Sequence, residues 1–315
     1  MTVKIIKHTL FAVLAAFALA LAGCSRHQPA RVWRLDNELA KGSVPSDSVM
    51  ARAAALLFAA SGYGELSDAA VQAYSEMPSI KIHRDAVDAR FADSKENADA
   101  LGRIETALAA RLPEAGRHGY FTIISPFNQS VIVSDSTVFI GLNHYLGEQY
   151  EPYGYFPDYQ RRRKTASRMP LDVAEAIVRT SFPYAPSAET GRTLLSRMLY
   201  EGAVAVAVAR VADTDPDSAI GYTAGERQWL EENTDAIWRR MAEQKMLFST
   251  DPSLARNILD LAPASTRLAP EAPGATGRHI GAEIVEAYAD SHPEASLADL
   301  LALYKSPSAL ADSGW

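Results

Sequence analysis

Apolar positions in residues 46–112 recur every three or four residues, the spacing of one face of a helix. This spacing predicts helices over 46–60, 66–76 and 95–112. Ser46 or Asp47 stands ready as the first N-cap, and Ala100, Leu101, Ile104, Leu108 and Leu112 share one face of the third helix. The period then shortens. Residues 120–124 (Tyr-Phe-Thr-Ile-Ile), 131–133 and 137–140 are rich in β-branched and aromatic side chains. Turn formers separate them, Pro126 with Asn128 and then Ser134-Asp135-Ser136, which is the signature of a small sheet. Residues 32–36 alternate apolar and polar and predict a further strand.

Beyond Gly141 the helical period returns, predicting helices over 158–167, 171–182, 193–211, 224–245, 252–259, 278–291 and 297–304. Thr223 with Glu226 and Ser296 with Asp299 have capping-box spacing, and Asp251-Pro252 reads as an N-cap followed by a first-turn proline. Pro263, Pro270, Pro273 and Gly274 mark 262–277 as an ordered loop. No repeat or low-complexity block divides the chain. One α+β domain over 32–315, predominantly helical with a small sheet, is the expected architecture.

The amino end follows another rule. Lys4 and Lys7 precede Leu10 to Gly23, a stretch without charge that is long enough for a signal sequence and short for a membrane span. It ends in Leu21-Ala22-Gly23-Cys24, which resembles the bacterial lipobox. Residues 1–23 are therefore expected to be a lipoprotein signal and 24–31 a tether. Acylated Cys24 would hold the chain on a lipid bilayer, because two or three acyl chains anchor far more firmly than one. Ser25, in place of an aspartate, favours the outer membrane with the domain facing the periplasm. Cys24 is the only cysteine, so no internal disulfide can form and packing alone must hold the fold.

Charge and composition exclude little else. The formal net charge is −7 over 315 residues, and −9 once Lys4 and Lys7 are removed with the signal. That argues against a nucleic-acid partner, which demands a cationic surface. The seven histidines never stand four apart, so no His-Glu-x-x-His zinc helix is present. The serine-nucleophile elbow, the phosphate loop and the dinucleotide glycine pattern are missing too, and no cofactor is implied.

Two segments stand out. Tyr145, Tyr150, Tyr153, Tyr155, Phe156 and Tyr159 crowd into fifteen residues, and Arg161-Arg162-Arg163-Lys164 follows. An aromatic loop beside cations suits stacking on sugars or holding an anionic peptide or glycan. The same residues also suit rings packed on helices and a solvated basic helix face, and both readings stay open. The second segment is Glu201-Gly202 within an apolar helix, where a carboxylate needs a partner. Arg197, four residues earlier, is the local choice.

The run Phe139-Ile140-Gly141-Leu142-Asn143-His144-Tyr145-Leu146-Gly147 resembles the signature of the GldB-like family of gliding motility-associated lipoproteins. Residues 195–202, Gly221-Tyr222-Thr223, Trp229 to Trp238, and Gly281 with Ile284 to Tyr288 are similar to later motifs of that family. The resemblance implies kinship with zincin-type, predicted zinc-dependent peptidases. There a sheet edge precedes a His-Glu-x-x-His helix, and a later Glu-Gly helix supplies a third ligand. Laid on this chain, the motif reads Ala174-Glu175-Ala176-Ile177-Val178, with Glu201 as the third position.

Glu175 and Glu201 thus become vestigial candidates in a degenerate site, with alanine and valine where the imidazoles belong. The implied protein is a metal-less, zincin-like envelope lipoprotein whose cleft, lined by His144, Tyr145, Tyr153, Glu175 and Glu201, serves binding or assembly with an envelope protein or glycan. The alternatives are a hydrolase working on peptidoglycan or peptides through Glu175 and Glu201 as a carboxylate pair, and a purely structural helical domain.

Overall fold

A ladder of aromatic rings joins strands that lie far apart in sequence. In the computed structural model, which describes residues 28–93, 95–125, 129–186 and 192–315, four strands form one sheet: β1 (Val32–Trp33), β2 (Gly119–Ile123), β3 (Val131–Ser134) and β4 (Thr137–Gly141). Their order is β1-β2-β4-β3, with β1, β2 and β4 parallel and β3 antiparallel at the edge. The register pairs Trp33 with Phe121 and Phe121 with Phe139. Their rings follow, Trp33 stacked 6.1 Å from Phe121 and Phe121 6.1 Å from Phe139. Such cross-strand pairs stabilise a sheet beyond the area they bury. Asp135, at φ 49°, turns the chain between β3 and β4, a left-handed position that aspartate tolerates.

Between β1 and β2 lie α1 (Leu35–Leu39), α2 (Ser48–Ala60), α3 (Asp68–Ser75), α4 (Pro78–Lys81), α5 (Arg84–Arg90) and α6 (Lys95–Arg111). After β4 come α7 (Asp158–Arg161), α8 (Met169–Ser181), α9 (Leu194–Ala212), α10 (Pro216–Ile220) and α11 (Ala224–Glu243). The chain closes with α12 (Pro252–Leu259), α13 (Thr276–Ser291), α14 (Leu297–Ala302) and α15 (Ala309–Ser313). The caps act as their spacing predicts. Asp47 accepts from Val49 and Met50, Asp251 caps α12 ahead of Pro252, and the boxes at Thr223/Glu226 and Ser296/Asp299 are both complete.

Three expectations change. Only Val32 and Trp33 pair as a strand, because the Asp36 carboxylate turns inward to Arg34, 2.8 Å away, and to the Thr122 hydroxyl. The helix expected over 158–167 stops at Arg161, because Arg163 and Lys164 turn toward different partners inside the domain. The loop expected over 262–277 ends at Ala275, and α13 begins at Thr276. The signal, Cys24 and the Pro126–Asn128 turn lie outside the described residues.

The axis of the helical part is α9, buried at every position from Gly202 to Ala209. It packs on α8 and on α13, and α8 also lies along the edge strand β3. At the α9–α13 crossing two glycines meet. A Cβ on Gly202 would come 2.1 Å from the Gly281 carbonyl carbon, and one on Gly281 would come 2.0 Å from the Met198 oxygen. No described helix is long and apolar enough to cross a membrane.

Candidate functional site

One side of α8 carries charge and the other carries core. Arg168, at its N-cap, and Asp172, Glu175 and Arg179 recur at helical spacing. Val173, Ala174, Ile177 and Val178 are fully buried on the remaining arc. From α9 comes Glu201, and from α13 comes Arg278, to complete a cluster of ions.

Arg179 holds the two glutamates together. Its Nε donates to Glu175 Oε1 at 2.9 Å, while its two terminal nitrogens donate to Glu201 Oε1 at 3.1 Å and Oε2 at 2.6 Å. Arg278 reaches Glu175 at 3.5 Å and Glu201 at 3.3 Å, with Nε also donating to the Leu259 carbonyl at 2.7 Å. Arg168 approaches Glu175 at 3.7 Å. Burial alone would raise the Glu175 pKa, but Arg179, Arg278, Arg168 and Arg163 together pull it down to about 2. The arginines leave a cavity of about 10 Å³ beside the glutamates, room for about one water. Arg197 takes no part, lying over the Tyr184 ring at 5.8 Å, so the local pairing with Glu201 is corrected in favour of Arg179 and Arg278. The reason is geometric, for among the described residues it is α8 and α13 that bring a cation to the face of α9 that bears Glu201.

The cluster continues to the C-terminus of α10, whose free carbonyls attract cations. Arg168 donates to Ser218 at 3.1 Å and Ala219 at 2.6 Å, and Arg163 donates to the Ile220 carbonyl. Gly221, at φ 95°, both ends the helix and leaves room, since a Cβ there would lie 2.1 Å from an Arg163 nitrogen. Burial, and then neighbouring Arg168, lower the Arg163 pKa to about 10.

A second and larger cavity, about 390 Å³, opens next to the cluster along the His144–Tyr145 segment. Gly141 precedes it, and a Cβ there would press on His144 and Ser125 at 3.0 Å. Asn143 then exchanges two 2.8 Å hydrogen bonds with the Ser125 backbone, fastening the end of β4 to the chain beyond β2. The Tyr145 hydroxyl donates to Asp172 at 3.1 Å, and burial followed by that carboxylate pushes its pKa well up. Asp172 also accepts from Arg168 at 2.7 Å. Lys164 Nζ lies 3.1 Å from His144 Nδ1 and 4.2 Å from the Phe156 ring centre. Its pKa is lowered, chiefly by burial.

The sequence-predicted cleft therefore divides. His144 and Tyr145 line the 390 Å³ cavity, and Glu175 and Glu201 sit together beneath arginines in the adjoining cluster. Tyr153 is buried in neither, its hydroxyl donating to the Asn143 carbonyl at 2.5 Å and accepting from the Leu146 N–H at 3.2 Å. The basic run is not a solvated face. Arg161 pairs with Asp158, Arg162 grips both oxygens of Glu226 at 2.8 and 2.9 Å, and Arg163 and Lys164 point inward.

Sequence reasoning missed Arg168, Asp172, Arg179 and Arg278. The i, i+4 spacing of Arg168 with Asp172 and of Glu175 with Arg179 was the available signal. It missed as well a buried neighbour of this cluster, His279, with Asp217 at 2.7 Å. Burial would lower the His279 pKa, but hydrogen bonds to Asp217 and Glu283 raise it to about 9.

A zincin-type zinc does not fit these residues. Among the described residues no three histidine, cysteine, aspartate or glutamate side chains gather into a metal-binding group. The two positions that should bear imidazoles, Ala174 and Val178, have no donor and are fully buried, while the remaining carboxylates are taken by guanidinium groups.

A family model described as "Gliding motility protein GldB" matches residues 29–315. No curated protein matches the chain, and no solved structure does.

Proposed function

The chain belongs to the gliding motility protein GldB family, and on that premise we propose a lipid-anchored cell-envelope protein that works by binding or assembly on a metal-less, zincin-like scaffold. The family is one of lipoproteins, which supports an anchor at Cys24 and a place in the envelope. Anchorage in the outer membrane, with the domain in the periplasm, is part of the same proposal. The zincin likeness draws support from the order of elements: an antiparallel edge strand β3, then α8 beside it, then α9 with its glutamate toward α8.

The observation that carries the reading is the Arg179 bridge. A guanidinium joins Glu175 to Glu201 where a zincin would place its metal, and a second guanidinium, from Arg278, closes the site. Paired-carboxylate hydrolysis needs one acid held protonated near neutral pH. Glu175, held near 2, cannot be that acid. A link to gliding rests on the family description alone.

One preparation tests both halves. The full chain, purified in detergent from palmitate-fed cells, is expected to carry label that Cys24→Ser removes. The same preparation is expected to release no fragments from cell-wall glycan or denatured protein under conditions where control hydrolases do. Label that survives Cys24→Ser overturns the anchor. Fragment release that disappears in Glu175→Gln overturns the non-enzymatic reading.

A further inference from the structure

The 390 Å³ cavity has a composition that the binding reading does not use. Its volume falls at the small end of the range for ligand pockets, enough for one ring-sized molecule. Its single acid, Asp172, is already occupied by Arg168 at 2.7 Å and Tyr145 at 3.1 Å, with Arg163 3.9 Å away. Arg163 in turn is committed to the Ile220 carbonyl. Lys164 differs. Its ammonium sits on the faces of Phe156 and Tyr153, at 4.2 and 5.2 Å, and touches His144 Nδ1, but no carboxylate among the described residues pairs with it. An ammonium has three donors, and the contact to His144 uses one.

With Arg163, Lys164 and Asp172 as its charged groups, the lining therefore carries one net positive charge. The walls supply the rest of a recognition surface. Phe156 and Tyr159 offer ring surface, and Gln160, which donates to the Tyr159 hydroxyl at 2.9 Å, and Ser130 offer hydrogen-bonding groups at the rim. Aromatic surface beside polar side chains suits a ligand with one apolar face and a belt of hydroxyls. A single ammonium suits a monoanion better than a dianion, which the nearby Asp172 would repel.

We infer that this cavity binds an acidic sugar, a pyranose ring bearing one carboxylate, with Lys164 pairing the carboxylate and Phe156 and Tyr159 flanking the ring. The inference rests on the reading of the protein as a binder and gives its ligand a chemical class. In an envelope protein, that class is a component of an acidic glycan.

The test is calorimetric titration of the full chain in detergent with D-glucuronate, D-glucose and inorganic phosphate. Glucuronate is expected to bind saturably and glucose at least about tenfold more weakly, the loss of one charge-assisted contact. Lys164→Met keeps the aliphatic stem over the rings and is expected to bring glucuronate down to the glucose level. Tyr159→Leu is expected to weaken both sugars, which keeps the test open if Lys164→Met fails to fold. Glucuronate binding unchanged in Lys164→Met, phosphate binding as tightly as glucuronate, or no glucuronate binding by a chain with a cooperative melt each overturns the assignment. Failure here with no hydrolysis in the digestion assay removes the ligand class alone, whereas hydrolysis lost in Glu175→Gln removes the binding reading itself.

Discussion

Gly202→Ala is expected to destabilise the chain by about 3 kcal/mol or more, although alanine is the better helix former by about 1 kcal/mol. The new methyl would stand 2.1 Å from the Gly281 carbonyl carbon and 2.3 Å from the Ala282 nitrogen. Those are backbone atoms of α13 and cannot swing aside as a side chain can. The helices must move apart, opening voids along α9, which is buried on almost every side. Gly281→Ala meets the same obstacle from the other helix, at Met198. Thermal unfolding of the two single variants and the double variant checks this, with each single Tm expected to fall by roughly 5–10 °C. Because both methyls enter one crossing, the double variant is expected to lose less than the summed losses. A Gly202→Ala chain as stable as the wild type would mean that the helices do not cross this closely.

The second large effect is at Arg179. Arg179→Met leaves Glu175 and Glu201 facing each other with Arg278, Arg168 and the more distant Arg163 for compensation. Removing one partner of a buried ion pair costs about 3–5 kcal/mol. The Glu175 and Glu201 side chains are 22% and 17% exposed, so solvent screening brings the expected loss to about 2–4 kcal/mol. Adding Glu201→Gln removes the stranded charge and is expected to restore part of that stability. Denaturant unfolding of the two single variants and the double variant reads the coupling directly. Additive effects in this cycle would mean that Arg179 does not bridge the two helices.

Much of the fold was legible because its elements are marked locally. Thr223 with Glu226, Ser296 with Asp299, Asp47 and Asp251 each fix a helix start from within four residues, and β2, β3 and β4 announce themselves by β-branched and aromatic content. Short helices such as α4, α5 and α10 span too few turns to show a period, and residues 32–36 alternate whether Asp36 faces water or lies buried against Arg34. The site was legible in its parts but not in its assembly. Glu175 and Glu201 meet at one guanidinium, that of Arg179. Their second partner, Arg278, lies 103 residues from Glu175, a separation no local rule bridges. The Gly-Tyr-Thr run shows the same limit. Its residues open space for Arg163, pack on His279 and cap α11, three tasks visible only once other elements are in place.

The claim on which the functional reading stands is that guanidinium groups occupy the ground between Glu175 and Glu201. Zinc analysis of the full chain, purified in detergent without chelator and then titrated with zinc, tests it most directly. Zinc is expected to stay far below stoichiometric and to leave the Tm unchanged, because binding to the folded state alone would raise it. One tightly held zinc per chain, lost in Glu201→Ala, would contradict the claim.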